Sequence, residues 1–410
     1  LIAIKDHLIL YVGKERDAPH FEADNILDGR GKIAMPGLIN CHTHAAMSIF
    51  RGIAEDQELD TWLKETIWPL EAKLRPLDVY QGALLSCVEM IRNGTTCFCD
   101  MYFYEDMVAR AVEEAGLRAV LAPGIIEAGD TEIGERMLEE SIKIAKEYYG
   151  YADGRITTQI GPHTAYTCSL NLLRKVREAA SSLKVGVHIH LAESEGASRL
   201  IKERYGTGEV ELLGSAGFLG PDVLAAHCTH LSERDIELLA EHHVKVAYNP
   251  VANMKLALGI ARVKEFFDAG MTVGLGTDGP ASNNSLDMFE TIKFAALSQK
   301  MFYVDPRVLP SLKVLEMATT DGARALGIGN SVGSLEVGKR ADLILLDVNK
   351  PHLTPMHNPY ASLVYSARGS DVDTTMVDGR ILMENREVKT LDEGEVIERG
   401  RRTALEIISR

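Results

Sequence analysis

Two histidines separated by one residue close a short apolar run, Pro36-Gly37-Leu38-Ile39-Asn40-Cys41-His42-Thr43-His44. Side chains two apart on an extended strand leave the same face, so both imidazoles are expected to converge on one point. Neutral imidazoles converging in this way suit a transition metal. Three later stretches carry residues of the same chemistry: Val187-His188-Ile189-His190-Leu191-Ala192-Glu193, Ala225-Ala226-His227-Cys228, and Gly274-Leu275-Gly276-Thr277-Asp278-Gly279. Each has an ordinary reading by itself. An isolated strand histidine is commonly a satisfied core residue, and Asp before Gly is common turn chemistry. What binds the four together is position, because each falls at the end of a predicted strand. Cys41 and Cys228 sit beside the key histidines, and strand alternation is expected to turn their thiols away from the shared centre.

The elements that must position these residues follow a rhythm. From Ile33, brief β-rich runs alternate with amphipathic segments about eight times. The predicted strands lie near 33–39, 95–100, 118–126, 156–161, 185–191, 222–227, 244–249 and 272–277. Predicted helices between them include 105–115, 131–149, 169–183 and 232–241. In the third of these, Leu170, Leu173, Val176, Ala179 and Leu183 recur at three or four and predict one apolar stripe. Ser232-Glu233-Arg234-Asp235 ahead of Ile236 fits a helix N-terminal capping pattern. Eight strand–helix units predict an α/β fold, a closed parallel (β/α)8 TIM barrel over residues 35–335. Residues 1–34 and 336–410 return to a period of two. They are expected to pair as a small, discontinuous β-sandwich domain ending in a helix. Asp378-Gly379 between two apolar runs is a strong hairpin signal. In such a barrel, chemistry belongs at the carboxyl ends of the strands, where these residues fall.

Composition narrows the class. At 410 residues, with 46% hydrophobic and 25% charged residues, the chain has the balance of a soluble globular protein. A formal charge of −15 offers no footprint for nucleic acid or an anionic membrane. No apolar run approaches bilayer length and no charged-then-apolar leader is present, so a cytoplasmic location is expected. The chain opens on apolar Leu1-Ile2, the pattern of a strand whose start lies upstream. The six cysteines lack a C-x-x-C pair or a disulfide framework and read as reduced, mostly buried residues. A homo-oligomer, a dimer or tetramer, is the expectation for an enzyme of this size.

The order PGLINCHTH, HIHLAE, AAHC, GTDG resembles the amidohydrolase superfamily in its metal-dependent deaminase branch. The segments MSIFRGIAEDQELDTWL, DMYF, GPHTAYTCS, NPVANMKL and GTDGPASNNSLDMF are similar to the methylthioadenosine/S-adenosylhomocysteine deaminases and their 5′-deoxyadenosine deaminase relatives. The resemblance runs over nearly the whole chain and includes GSLEVGKRADLILLD. It implies His42, His44, His190 and Asp278 as ligands of one divalent metal, zinc first, with iron or another divalent ion as alternates. His188 shares the strand face of His190. The family register, three residues before Glu193, favours His190 and leaves His188 in the core or behind the ligands. Binuclear relatives bridge two metals with a modified lysine ending the fourth strand; Gly161-Pro162-His163 stands there, so a single metal is expected. Zinc nucleobase deaminases built on H-x-E and P-C-x-x-C are excluded, because that pair does not occur.

A bound divalent ion lowers the pKa of its water to about 7 and so provides hydroxide at neutral pH. Glu193 is placed to transfer a proton to the ring nitrogen beside the attacked carbon, a contribution of about 10²–10⁴-fold. Asp278 would pass the water proton to departing ammonia, and His227 would orient or polarise the nucleophile. By resemblance, Trp62 and Glu71 reach the nucleoside, Glu71 accepting from both ribose hydroxyls. His163 is expected to donate to the purine edge, and Arg136 to hold an amino-acid carboxylate. The second arginine expected for that carboxylate is replaced by Pro123, which favours smaller 5′ groups. The implied reaction is hydrolytic deamination of adenosine derivatives: 5′-deoxyadenosine, 5′-methylthioadenosine, S-adenosylhomocysteine or adenosine. The alternative is a guanine or cytosine deaminase, or a triazine-type hydrolase, of the same superfamily.

Overall fold

The computed structural model describes residues 1–410. Its centre is a parallel barrel of eight strands: Leu38–Thr43, Thr95–Asp100, Arg118–Leu121, Ile156–Pro162, Gly186–Leu191, Val223–His227, Lys245–Tyr248 and Val273–Leu275. Neighbours in sequence are neighbours in the sheet, and the short strand Gly124–Ile125 continues the third against the fourth. Helices Glu105–Ala115, Thr131–Tyr148, Leu170–Leu183 and Glu233–Glu241 follow strands two, three, four and six. Their starts are held by side chains: Asp130 accepts from the amides of Glu132 and Ile133, Ser169 from Leu172, and Ser232 from Asp235. Each such cap satisfies an otherwise orphaned N–H. In helix Leu170–Leu183 the buried face is Leu172, Leu173, Val176 and Ala180, rotated from the expected stripe of Leu170, Leu173, Val176, Ala179 and Leu183. No helix is long and apolar enough to cross a membrane.

The first expected strand, 33–39, divides in two. Lys32–Pro36 pairs antiparallel with Leu343–Asp347 in a separate sheet, and the barrel strand begins only at Leu38. The break falls at Gly37, where a Cβ would lie 2.1 Å from Thr96 Oγ1, so only glycine lets the backbone pass. The third expected strand, 118–126, is interrupted at Ala122-Pro123, where proline has no N–H for the ladder. The eighth ends at Leu275, leaving Thr277 and Asp278 on the loop that leads out of it.

The separate sheet runs, in order, Glu387–Val388, Arg380–Glu384, Val372–Val377, Leu343–Asp347 and Lys32–Pro36, all antiparallel. Asp378 and Gly379 join two of its strands with positive φ at both residues, the backbone a tight two-residue hairpin requires. The hairpin Ile2–Lys5/Leu8–Val12 lies on this sheet through Ile9, packed with Ala341, Leu343, Leu345 and Met376. The last helix, Glu393–Ser409, packs instead on helix Pro76–Arg92, with Gly400 against Leu85. Sheet and barrel are tied by a buried ion pair, Arg118 Nε to Asp342 Oδ2 at 2.8 Å and Nη2 to Oδ1 at 3.0 Å.

Strands one and eight form no ladder. They meet at the carboxyl end of the barrel, where the Asp278 amide donates to the His42 carbonyl at 2.9 Å. Asn40 completes the seam: its Nδ2 donates to Thr277 Oγ1 at 2.7 Å, and its Oδ1 accepts the Thr277 amide at 3.0 Å. Asn40 is fully buried, so removing it strands the Thr277 amide without water. Asn40→Ala is expected to cost about 1–3 kcal/mol and to lower the midpoint of thermal unfolding by several degrees. Calorimetry checks this, and an unchanged midpoint would show that the seam is held elsewhere.

Candidate metal centre and substrate cavity

A β-bulge shapes the first strand. Between Asn40 and Thr43 it runs three residues while its partner runs two, from Phe98 to Asp100. The extra residue lets both Cys41 and His42 turn inward, a common use of bulges beside active sites. Cys41 therefore does not turn out of the barrel as alternation predicts. Its thiol points into the lower interior beside Ala323, Cys97 and Cys99, and donates to the Gly322 carbonyl at 3.6 Å. All six cysteines are free and buried.

Above this layer the histidines gather. Nitrogens of His42, His190 and His227 lie within 4.8 Å of one another, and so do ligand atoms of His42, His44 and Asp278. His44 Nε2 is 3.4 Å from His190 Nε2 and 3.3 Å from Asp278 Oδ1. His42 Nε2 is 3.6 Å from the same carboxylate oxygen. The far nitrogens are occupied: His44 Nδ1 meets the Met101 carbonyl at 2.6 Å, and His190 Nδ1 the His163 carbonyl at 2.9 Å. His227 Nδ1 meets Asn253 Oδ1 at 2.8 Å. Carbonyl and amide oxygens only accept, so each of these Nδ1 atoms carries the proton and each Nε2 presents a lone pair. The Nε2 atoms of His42 and His227 are buried without a hydrogen-bond partner. Burial, reinforced by the neighbouring imidazoles, pushes His42 and His190 well below the usual histidine range, and His163 and His188 to about 3. Neutral imidazoles with bare, convergent nitrogens beside a carboxylate fit a divalent transition metal.

The backbone at these strand ends is strained. Ala192, His227, Cys228 and Asp278 all have positive φ, between 47° and 71°. Non-glycine residues rarely adopt this region, and such outliers concentrate at functional sites. The Ala192 amide is held by Glu209 Oε2 at 3.0 Å, which places Glu193 at the mouth. Glu193 Oε1 is 3.7 Å from His227 Nε2. Burial raises the Glu193 carboxyl above its usual value; His227 opposes this shift and the Asp278 carboxylate adds to it.

Over the histidines opens a cavity whose lining includes His44, His163, His190, Glu193, His227 and Asp278. Its far wall is a helical arm, Leu59–Thr61, Trp62–Ile67 and Trp68–Glu71, whose middle segment is a π turn. The π turn brings Trp62, Ile67 and Glu71 to the same wall. Burial raises the Glu71 carboxyl to about 7, against a smaller downward pull from Tyr102. Arg136, by contrast, is exposed on helix Thr131–Tyr148 and is not part of the lining. Sequence reasoning gave no role to Tyr102 or Asn253. Tyr102 lines the cavity with its hydroxyl turned to Glu71, and Trp62 lines it with an unpartnered indole N–H. Both Tyr102 and Asn253 sat inside motifs, DMYF and NPVANMKL, that carried resemblance without a stated chemistry.

A parallel barrel with bare imidazoles and a carboxylate at its strand carboxyl ends is the architecture of a metal-dependent hydrolytic enzyme. More particularly, the chain belongs to the amidohydrolase family, whose profile matches residues 33–382. A 5′-deoxyadenosine deaminase of Methanosarcina acetivorans is 51% identical over 409 residues, covering 100% of this chain and 94% of the relative. A 5-methylthioadenosine/S-adenosylhomocysteine deaminase of Desulforudis audaxviator is 50% identical over 408 residues, covering 99% and 94%. Among solved structures, a zinc-bound adenosine deaminase from Xanthomonas campestris superposes with a TM-score of 0.95 at 32% identity, covering 100% of this chain and 94% of that one. A zinc complex of the atrazine chlorohydrolase TrzN from Arthrobacter aurescens superposes at 0.91 with 25% identity, covering 98% and 94%.

If the convergent nitrogens hold an ion, His44→Ala or Asp278→Ala is expected to reduce bound divalent metal to background while circular dichroism stays that of the parent. Elemental analysis of the purified variants reads this out. Retention of full metal in both would move the ion elsewhere.

Proposed function

We propose that this protein is a hydrolytic deaminase of adenosine derivatives, replacing the 6-amino group with oxygen and releasing ammonia. The observation that carries the proposal is the arrangement of carboxyls around one cavity. Glu193 and Asp278 lie beside the histidines, and Glu71 faces them from the helical arm. The resemblance to deaminases over the full chain supports the same reading.

His42, His44, His190 and Asp278 would hold a single divalent ion, with zinc favoured by the zinc-bound neighbour. Such an ion activates water, bringing its pKa from 15.7 to about 7. The chain's own residues then carry the proton traffic. Glu193, whose hold on a proton burial strengthens, gives that proton to N1 of the purine as C6 is attacked, which makes the ring a better electrophile. His227, held by Asn253, directs Nε2 at the attacking oxygen. Asp278 takes the proton released from water and delivers it to the departing N6, and the remaining hydroxyl proton returns to Glu193 as the C6–N6 bond breaks and the C6 carbonyl forms. The sum is adenosine derivative plus water giving inosine derivative plus ammonia. His163 donates or accepts at the purine edge, and Glu71 accepts from the ribose hydroxyls. Arg136 stands away from the cavity and Pro123 is uncharged, which favours 5′-deoxyadenosine, methylthioadenosine and adenosine over a substrate with an amino-acid tail. A free base or triazine offers no vicinal diol, so Glu71 also separates this reading from the guanine, cytosine or triazine hydrolase alternative.

Two measurements test the proposal. With 5′-deoxyadenosine, methylthioadenosine, adenosine and S-adenosylhomocysteine assayed by ammonia release, chelation is expected to abolish turnover. Glu193→Gln is expected to retain metal and lose about 10²–10⁴-fold in kcat; near-full activity would remove Glu193 as proton donor. The second concerns pH. Glu71 is raised to about 7 in the free enzyme, so acidification below that point protonates it and removes acceptors for the diol. The expected result is a kcat/KM for nucleosides that falls as pH drops below about 7, carried by KM, with that limb flattened in Glu71→Gln. An unchanged limb in the variant would assign it to another group.

A further inference from the structure

His42 differs from the other three histidines of the cluster in what holds it. His44, His190 and His227 lean on oxygens that can only accept; His42 Nδ1 lies 3.0 Å from another imidazole nitrogen, His188 Nε2. Either ring could donate in that contact, so the tautomer of His42 depends on what fixes His188. His188 is fully buried and takes no part in the cavity lining. It sits on the same strand face as His190, one residue pair deeper, level with Leu224 of the neighbouring strand. Its other nitrogen, Nδ1, is 3.1 Å from Cys99 Sγ. The Cys99 thiol reaches in turn to Gln159 Oε1 at 3.9 Å. The four side chains come from strands five, one, two and four, so the line crosses the barrel interior.

Donor counting gives this line one direction. The thiol has a single hydrogen, and the amide oxygen of Gln159 can only accept it. The Cys99 sulfur is then left as an acceptor, so His188 Nδ1 must supply the hydrogen between them. A neutral imidazole with its proton on Nδ1 has a lone pair on Nε2, which accepts from His42 Nδ1. His42 Nε2 is thereby left bare, 3.6 Å from Asp278 Oδ1. The opposite direction would put a hydrogen on His42 Nε2, where a metal could not bind. Burial, the dominant influence, raises the Cys99 thiol well above its usual range and keeps the hydrogen on sulfur.

We infer that His188 is a positioning residue for the metal centre, fixing His42 in its Nε2-ligating tautomer through the line His42–His188–Cys99–Gln159. The inference rests on the metal-centre reading above and adds to it a residue that touches neither ion nor substrate. Partners standing behind a metal ligand in this way are worth about 10–100-fold in metal affinity.

The test measures zinc affinity directly, by competition of the metal-stripped full-length protein with a chromophoric chelator. His188→Leu is expected to weaken zinc binding about 10–100-fold. His188→Gln, whose Oε1 can take the place of Nε2 as acceptor, is expected to recover most of that loss. Cys99→Val is expected to weaken binding in the same direction by less, and it keeps the test open if His188→Leu does not fold. Melting of the metal-free variants separates the inference from a packing role, because packing alone would lower the melting point equally in His188→Leu and His188→Gln without ordering their zinc affinities. The inference is overturned if His188→Leu binds zinc as the parent does, if Gln recovers no more than Leu, or if Cys99→Val leaves affinity unchanged. Failure of the parent itself to bind zinc would instead overturn the metal-centre reading.

Discussion

The structure turns on keeping imidazole nitrogens bare in a buried place. An unprotonated nitrogen away from water is costly unless something occupies it, and the chain aims several at one point. It does so by occupying each opposite nitrogen with an acceptor drawn from a different element: the Met101 carbonyl after strand two, the His163 carbonyl after strand four, and Asn253 in the helix after strand seven. Burial disfavours the protonated forms of His42, His44 and His190. The barrel is therefore more than a scaffold for four proposed ligands. Its neighbouring strands fix the direction of each ring.

This requirement explains where the backbone is irregular. The bulge at Cys41-His42, the positive φ at Ala192, His227, Cys228 and Asp278, and the missing ladder between strands one and eight all lie within the same end of the barrel. Left-handed residues other than glycine cost about 1–3 kcal/mol each. They persist because surrounding contacts over-determine them: Glu209 on the Ala192 amide, the Asn40–Thr277 pair, and the Asp278 amide on the His42 carbonyl. The seam that closes the barrel is thus made of the residues flanking two of the proposed ligands, so closure and metal geometry are set by the same few hydrogen bonds.

Much of this architecture was legible in the amino-acid order, for a physical reason. Strand–helix alternation repeats along the whole chain, so the barrel could be counted, and the Asp378-Gly379 turn announced its hairpin. What escaped depends on contacts between distant segments. The run 33–39 reads as one strand because nothing local marks Gly37 as the point where Thr96 crowds the backbone. The bulge needs the register of strand two, so alternation alone turned Cys41 the wrong way. The tilt of helix Leu170–Leu183 on its sheet, set by packing, decided which of two overlapping apolar stripes was buried. Arg136 sits in a helix whose position is legible but whose rotation is not, and it faces solvent. Tyr102 and Asn253 were invisible as functional groups because an aromatic after a strand and an amide in a helix have many commoner uses.

The carboxyls around the cavity show how one fold gives a single functional group several roles. Glu193 is half-buried near one carboxylate and one imidazole, and the balance raises its carboxyl above the usual range, toward a group that can give a proton. Glu71 is half-buried on the opposite wall without a cation and is held near 7, at the edge between neutral and charged. Asp278 stands among imidazole nitrogens, its Oδ1 also accepting the Gly279 amide at 2.6 Å. Separating the proton affinities of like groups by environment is how acid and base functions coexist at one pH. A polar nucleoside fits this division. Its ring nitrogen needs the neutral acid, its diol needs an ionised acceptor, and its leaving amine needs the base, each at a different wall of the same cavity.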